Sequence, residues 1–103
     1  MKDKEKLGKL LLDCLETLEN CLSGEKVQNS LATMREELTR LVITVPDPEV
    51  SAVYGSAIAG ILLAMNANPT ANDKKTIGFF YEDVKKRLAS LNEEQKKSIG
   101  WVR

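Results

Sequence analysis

Apolar residues recur along most of the chain at the three- and four-residue intervals of an amphipathic helix. A first helix is predicted over residues 3–22, and Gly24 provides its stop signal. A second helix is predicted over residues 26–42, with charged residues on its solvent side. The inward-facing residues of the two segments are Leu7, Leu11, Cys14, Leu18 and Cys21, followed by Val27, Leu31, Met34, Leu38 and Leu41.

A third helix is predicted over residues 48–65. Asp47 stands at the N-cap position and Pro48 at the first helical position, which is the usual order at a helix start. The chain carries no charge from residue 50 to residue 72. A helix needs about 20 residues to span a bilayer, and the helical part of this stretch is shorter. We therefore expect the helix to pack inside the protein, with close approach along Ala52, Ser56, Gly60 and Ala64.

A fourth helix is predicted over residues 71–91, where Thr70 and Asp73 have the spacing of a capping box. The tail, residues 92–103, begins with signals for one more short helix: an Asn cap, a Gln three residues later and a terminal glycine. Four amphipathic segments with short connections predict an all-α fold. We expect a single domain over residues 1–103, built as an antiparallel four-helix bundle with a short C-terminal helix or tail.

Composition limits the classes of function. With 103 residues and 43% hydrophobic residues, the chain has the size of one soluble domain. Its fifteen basic and fifteen acidic residues balance, but residues 1–50 carry a net charge of −3 and residues 51–103 a net charge of +3. There is no histidine and no catalytic or phosphate-binding motif. We therefore predict no enzymatic activity, no cofactor and no metal site.

The cysteines and the start of the sequence indicate the compartment. Cys14 and Cys21 are seven residues apart, about 10 Å along a helix, which is too far for a disulfide. We expect two reduced thiols in the core. The lysine-rich start is interrupted by acidic residues and lacks the features of a signal peptide. The sequence therefore predicts a cytoplasmic protein.

Two regions combine basic and large apolar residues on a predicted surface. On the fourth helix, Phe79 points about 200° away from the core direction, beside Lys86. In the tail, three basic residues flank three apolar residues. Trp101 either folds back to close the end of the bundle or contacts a partner. The candidate tail residues are Lys96, Lys97, Ile99, Trp101, Val102 and Arg103.

Three stretches resemble the immunity proteins that protect Gram-positive bacteria against their own pediocin-like (class IIa) bacteriocins. PEVSAVYGSAIAG is similar to the third helix of that family, NPTANDKKTIGFFYEDVKKRL to its loop and capped fourth helix, and SIGWVR to its tail. The resemblance covers residues 48–101, and the first half agrees only in its helix pattern. Many family members are distinctly basic, whereas this chain is neutral.

The resemblance implies an antiparallel four-helix bundle and a binding function. Such proteins act from the cytoplasm on membrane subunits of a sugar phosphotransferase receptor that has engaged the bacteriocin, and the C-terminal half sets the specificity. Carried over by position, the partner-binding candidates are Phe79, Lys86, Lys96, Lys97, Trp101, Val102 and Arg103. The resemblance also implies association with the membrane through a protein partner. We expect a monomer or a weak dimer.

Two other classes of function are compatible with the sequence. A dimerising adaptor would use the third helix, which carries no charge after Glu49. A nucleic-acid-binding regulator would use the lysines of KKRL and EQKK, although Glu82, Asp83, Glu93 and Glu94 lie among them and would repel phosphates. The salt dependence of DNA binding separates this class from the others, because phosphate contacts weaken steeply as salt rises. We expect no nucleic-acid partner.

Overall fold

Each of the four predicted amphipathic segments forms one α-helix, and a short fifth helix follows them. The computed structural model describes residues 2–66 and 69–101, with side chains from Lys6 onward except that of Gln28. Within these ranges the fold is all-helical and has no β-strand. The elements are α1 (Lys2–Leu22), α2 (Gln28–Val42), α3 (Pro48–Ala64), α4 (Ala71–Ser90) and α5 (Glu93–Ser98).

The predicted caps set the starts of the last three helices. The Asp47 carboxylate accepts hydrogen bonds from the backbone N–H groups of Glu49 at 2.9 Å and Val50 at 3.5 Å. Thr70 and Asp73 form a reciprocal capping box at the start of α4. Asn92 and Gln95 form a second capping box at the start of α5. Each box satisfies backbone donors that have no partner within the helix itself.

The other helix boundaries lie within two residues of the prediction. Gly24 and Gly100 take the positive φ values of 97° and 72° that end α1 and α5. The second helix begins at residue 28, not 26, because Val27 has non-helical backbone angles and no side-chain oxygen to cap an earlier turn. The third and fourth helices each end one residue before their predicted boundary, and the first begins one residue earlier.

One hydrophobic core joins the helices. All the leucines predicted to face inward on α1 and α2 are buried in it. Tyr54 is fully buried, and its hydroxyl has no hydrogen-bond partner among the described residues. Cys14 and Cys21 are free thiols in this core, as predicted, and burial raises the pKa of Cys14 to about 12. The residues of 0% exposure are Leu11, Cys14, Leu18, Leu31, Leu38, Val50, Val53, Tyr54, Ala57, Ile61, Ala64, Ile77 and Val84.

The small residues of α3 allow close packing, as predicted. A Cβ atom placed on Gly60 would lie 3.3 Å from both Leu18 Cδ1 and Phe80 Cβ, so a larger side chain would crowd α1 and α4. One turn earlier, the Ser56 hydroxyl donates to Asp83 Oδ2 on α4 at 2.6 Å. These contacts show that Ser56 and Gly60 face neighbouring helices of the same chain.

The opposite side of α3 is open to solvent. Leu62 is 51% exposed, and no neighbouring heavy atom lies within 4 Å of the position that a Cβ atom on Gly55 would take. The expectation that this apolar helix packs inside the protein therefore holds for only part of its circumference. Within residues 2–66 and 69–101, no helix is long and apolar enough to cross a membrane.

Candidate protein-binding site

The C-terminal turn packs directly on α1. Ile99 is 1% exposed and belongs to the core. The carbonyl oxygens of Ile99 and Gly100 lie only 2.7 and 2.8 Å from the position that a Cβ atom on Gly8 would take. Gly8 therefore permits a backbone contact that any other residue would block. The turn is closed by the backbone N–H of Trp101, which donates to the Lys96 carbonyl at 2.9 Å.

This packing places Trp101 between α1 and α4. The indole is half-buried against the core, so it is partly docked and partly presented to solvent. It lines a groove of about 600 Å³, here called the tail groove. Three leucines and two aromatic residues supply its apolar surface, and its other residues are charged. The lining residues are Leu12, Leu15, Glu16, Glu19, Tyr81, Lys85, Leu88 and Trp101.

Polar contacts hold the α4 side of the tail groove. The Tyr81 hydroxyl donates to Glu19 Oε2 at 2.9 Å, and this hydrogen bond to a carboxylate raises the pKa of the phenol. The Lys85 ammonium lies over the Tyr81 ring, 5.1 Å from its centroid, as in a cation–π contact. Glu16 is exposed, and its carboxylate has no hydrogen bond or ion pair within the described part of the chain. The tail groove thus combines an apolar floor with an acidic edge on α1.

A side-chain bridge anchors α5 to the start of α3. The Gln95 amide donates to Asp47 Oδ2 at 3.0 Å, while its oxygen accepts from the Asn92 N–H. Asp47 therefore caps α3 and also holds α5. The pKa of Asp47 is lowered by the hydrogen bond from Gln95 first, and then by those from the α3 backbone. A second groove of about 590 Å³ lies beside this bridge, between α5 and the connection that precedes α3.

The Asp47 bridge should make stability depend on pH in the acid range. Because the folded-state pKa is lower than the unfolded value of about 3.9, the stabilisation is present above that value. It is lost as pH falls through the folded pKa. We expect the Tm of the wild-type protein to fall more between pH 5 and pH 2 than that of Asp47→Asn, because asparagine caps a helix without titrating. Thermal unfolding of both proteins across this range is the test, and parallel Tm curves would contradict it.

The predicted partner-binding residues do not form one patch. Phe79 is 66% exposed, as predicted, and packs edge-on against Phe80 with ring centroids 5.6 Å apart. Lys86 is also exposed, but neither Phe79 nor Lys86 lines the tail groove. Seven residues separate them on α4, which places them on a common face two turns apart.

The predicted tail residues differ in exposure. Lys97 is exposed and Lys96 is half-buried, so both are available at the surface. The assignment of Ile99 as a partner contact is corrected, because its side chain is buried and packs in the core. Val102 and Arg103 lie outside the described residues.

Sequence reasoning missed the α1 side of the site. Glycine inside a helix, as at Gly8, costs about 1 kcal/mol relative to alanine, and this cost indicates that the position has a packing role. Glu16 and Glu19 gave no signal, because charged residues are expected on the outer face of any amphipathic helix. Tyr81 lies four residues after Ile77 on α4, at helical spacing from this buried residue, and the structure places it half-buried in the wall of the tail groove.

Comparison with other proteins does not extend this picture. No protein-family model, curated protein or solved structure matches the chain. Within residues 2–66 and 69–101, no group of three or more cysteine, aspartate or glutamate residues is arranged to hold a metal ion.

Proposed function

We propose that this protein is a bacteriocin immunity protein. In this proposal it folds as an antiparallel four-helix bundle and acts in the cytoplasm by binding rather than by catalysis. It protects the producing cell by associating with membrane subunits of a sugar phosphotransferase receptor that a pediocin-like bacteriocin has engaged. The bundle arrangement is supported by α3 and α4, where Ser56 meets Asp83 and Gly60 meets Phe80, so that the two helices run in opposite directions.

The docked C-terminal turn is the observation that carries the proposal. The residue that anchors this turn in the core and the aromatic residue that reaches the surface are different. Here Ile99 provides the buried anchor, whereas Trp101 remains half-exposed beside Lys96. The turn therefore fixes an aromatic residue and a basic residue at the surface. Aromatic residues that are partly held in place are common at the centres of protein interfaces, because little side-chain entropy is lost on binding.

The direct test is protection of sensitive cells. The protein is expressed in a bacteriocin-sensitive strain, which is then challenged with a panel of pediocin-like bacteriocins. We expect survival against at least one of them. Growth inhibition by every bacteriocin of the panel, with the protein present at normal levels, would contradict the proposed function.

Charge reversal in the tail tests the recognition surface. The variant Lys96→Glu/Lys97→Glu/Arg103→Glu should lose protection, while its Tm should stay close to that of the wild type. Lys96 and Lys97 form no ion pair in the described part of the chain, and surface charges of this kind contribute less than about 1 kcal/mol each to stability. Lys26→Glu/Lys75→Glu, at exposed positions away from the tail, is the control and should still protect. Full protection by the tail variant would show that the basic tail does not recognise the partner.

A further inference from the structure

The tail groove presents negative charge beside an apolar floor. Glu16 and Glu19 are both exposed, and they lie three residues apart on α1. Side chains at this spacing are neighbours on a helix, with Cβ atoms about 5–6 Å apart. They form a pair of carboxylates at the edge of a surface made by leucines and by the Trp101 indole.

The charges around the tail groove do not cancel this pair. Lys85 is the only cation among the lining residues of the described structure, and its ammonium lies over the Tyr81 ring. The Tyr81 hydroxyl donates to one oxygen of the Glu19 carboxylate, and the second oxygen has no described partner. Glu16 has no ion-pair partner in the described part of the chain. The lining residues therefore carry two negative charges on α1 and one positive charge on α4, which is a net charge of −1.

We infer that the tail groove binds a basic amphipathic segment of a partner protein. Apolar side chains of the segment lie on the three leucines and on the indole of Trp101. Two lysine or arginine side chains about one helical turn apart reach Glu16 and Glu19. A nucleic acid or an anionic membrane surface does not fit, because the two carboxylates repel phosphate groups. The inference rests on the proposed binding function and specifies the chemistry of the partner.

The protein provides its own probe for this interaction. Trp101 is the only tryptophan of the chain and lines the tail groove. Its fluorescence therefore reports on the site alone when the added peptide contains no tryptophan. The ligand added to the protein is an amphipathic helical peptide of leucine and lysine. Two peptides serve as comparisons: one has glutamate in place of lysine, and the other has the same composition with its leucines distributed around the helix.

We expect the leucine–lysine peptide to bind saturably and to shift the Trp101 emission to shorter wavelength. Glu16→Gln/Glu19→Gln should weaken binding by about two- to thirtyfold, because it removes two exposed ion pairs with the peptide. Lys85→Gln should strengthen it. Glutamine at position 19 can still accept the hydrogen bond of Tyr81, so the groove should persist. Glu25→Gln/Glu36→Gln removes the same charge at exposed positions elsewhere and should leave affinity unchanged.

Two results would overturn the inference: absence of binding to the leucine–lysine peptide, or equal binding of the glutamate peptide. Protection assays with the same variants separate this inference from the proposed function. If the wild type protects cells but the peptide does not bind, the groove assignment is wrong and the immunity function stands. If the peptide binds as expected but the wild type protects against no bacteriocin, the immunity function is wrong and the groove assignment stands.

Discussion

Replacement of Gly8 by alanine should release the C-terminal turn from α1. The added Cβ atom would lie 2.7 Å from the Ile99 carbonyl oxygen and 2.8 Å from that of Gly100, both backbone atoms that cannot rotate away. Overpacking of this kind costs about 1–3 kcal/mol. We expect this loss in the free energy of unfolding, a longer-wavelength emission from Trp101 and a loss of protection. Denaturant unfolding, fluorescence and cell survival measure the three effects.

Gly78→Ala is the matched control for the Gly8 substitution. Gly78 also lies inside a helix, but no heavy atom lies within 4 Å of the position that its Cβ would take. Alanine should therefore raise the free energy of unfolding by up to about 1 kcal/mol, through helix propensity alone. Trp101 emission and protection should not change. Equal effects of the two substitutions would show that the turn does not depend on Gly8.

Leu38→Ala should have the largest effect on stability. Leu38 is 0% exposed in the core, and deletion of a buried leucine side chain costs about 2–5 kcal/mol, depending on how far the cavity collapses. Chemical denaturation of the variant and the wild type gives the difference. Ile43→Ala is the control, because Ile43 is 81% exposed and its truncation should change stability by less than about 0.5 kcal/mol. A loss below that value for Leu38→Ala would contradict its placement in the core.

The helices of this protein could be predicted because their apolar residues repeat at helical intervals. Leu11, Leu18 and Leu38 each follow that rhythm, and burial of one face dictates their orientation. The caps were predictable for a similar reason, since Asp47 and Thr70 satisfy backbone donors only a few residues away. The start of α2 was misplaced because Val27 continues the apolar rhythm without having helical backbone angles.

The candidate site was less predictable because it depends on contacts between distant parts of the sequence. The packing of Gly8 against Ile99 joins two ends of the described chain, and no local pattern contains it. The tail groove likewise requires Glu19 on α1 to meet Tyr81 on α4. The helical pattern predicted that Phe79 is exposed, but it did not show which face of α4 adjoins the tail.

The two buried thiols make the wild-type chain a suitable background for site-specific labelling. Burial raises the pKa of Cys14 to about 12 and also raises that of Cys21, so neither forms much reactive thiolate near neutral pH. Maleimides should therefore leave the folded protein unmodified. A single cysteine introduced at Phe79 or Lys97 would carry a crosslinker without removal of the native cysteines. Because the native cysteines can stay in place, each candidate contact surface can be tested for covalent capture of its partner with a single substitution.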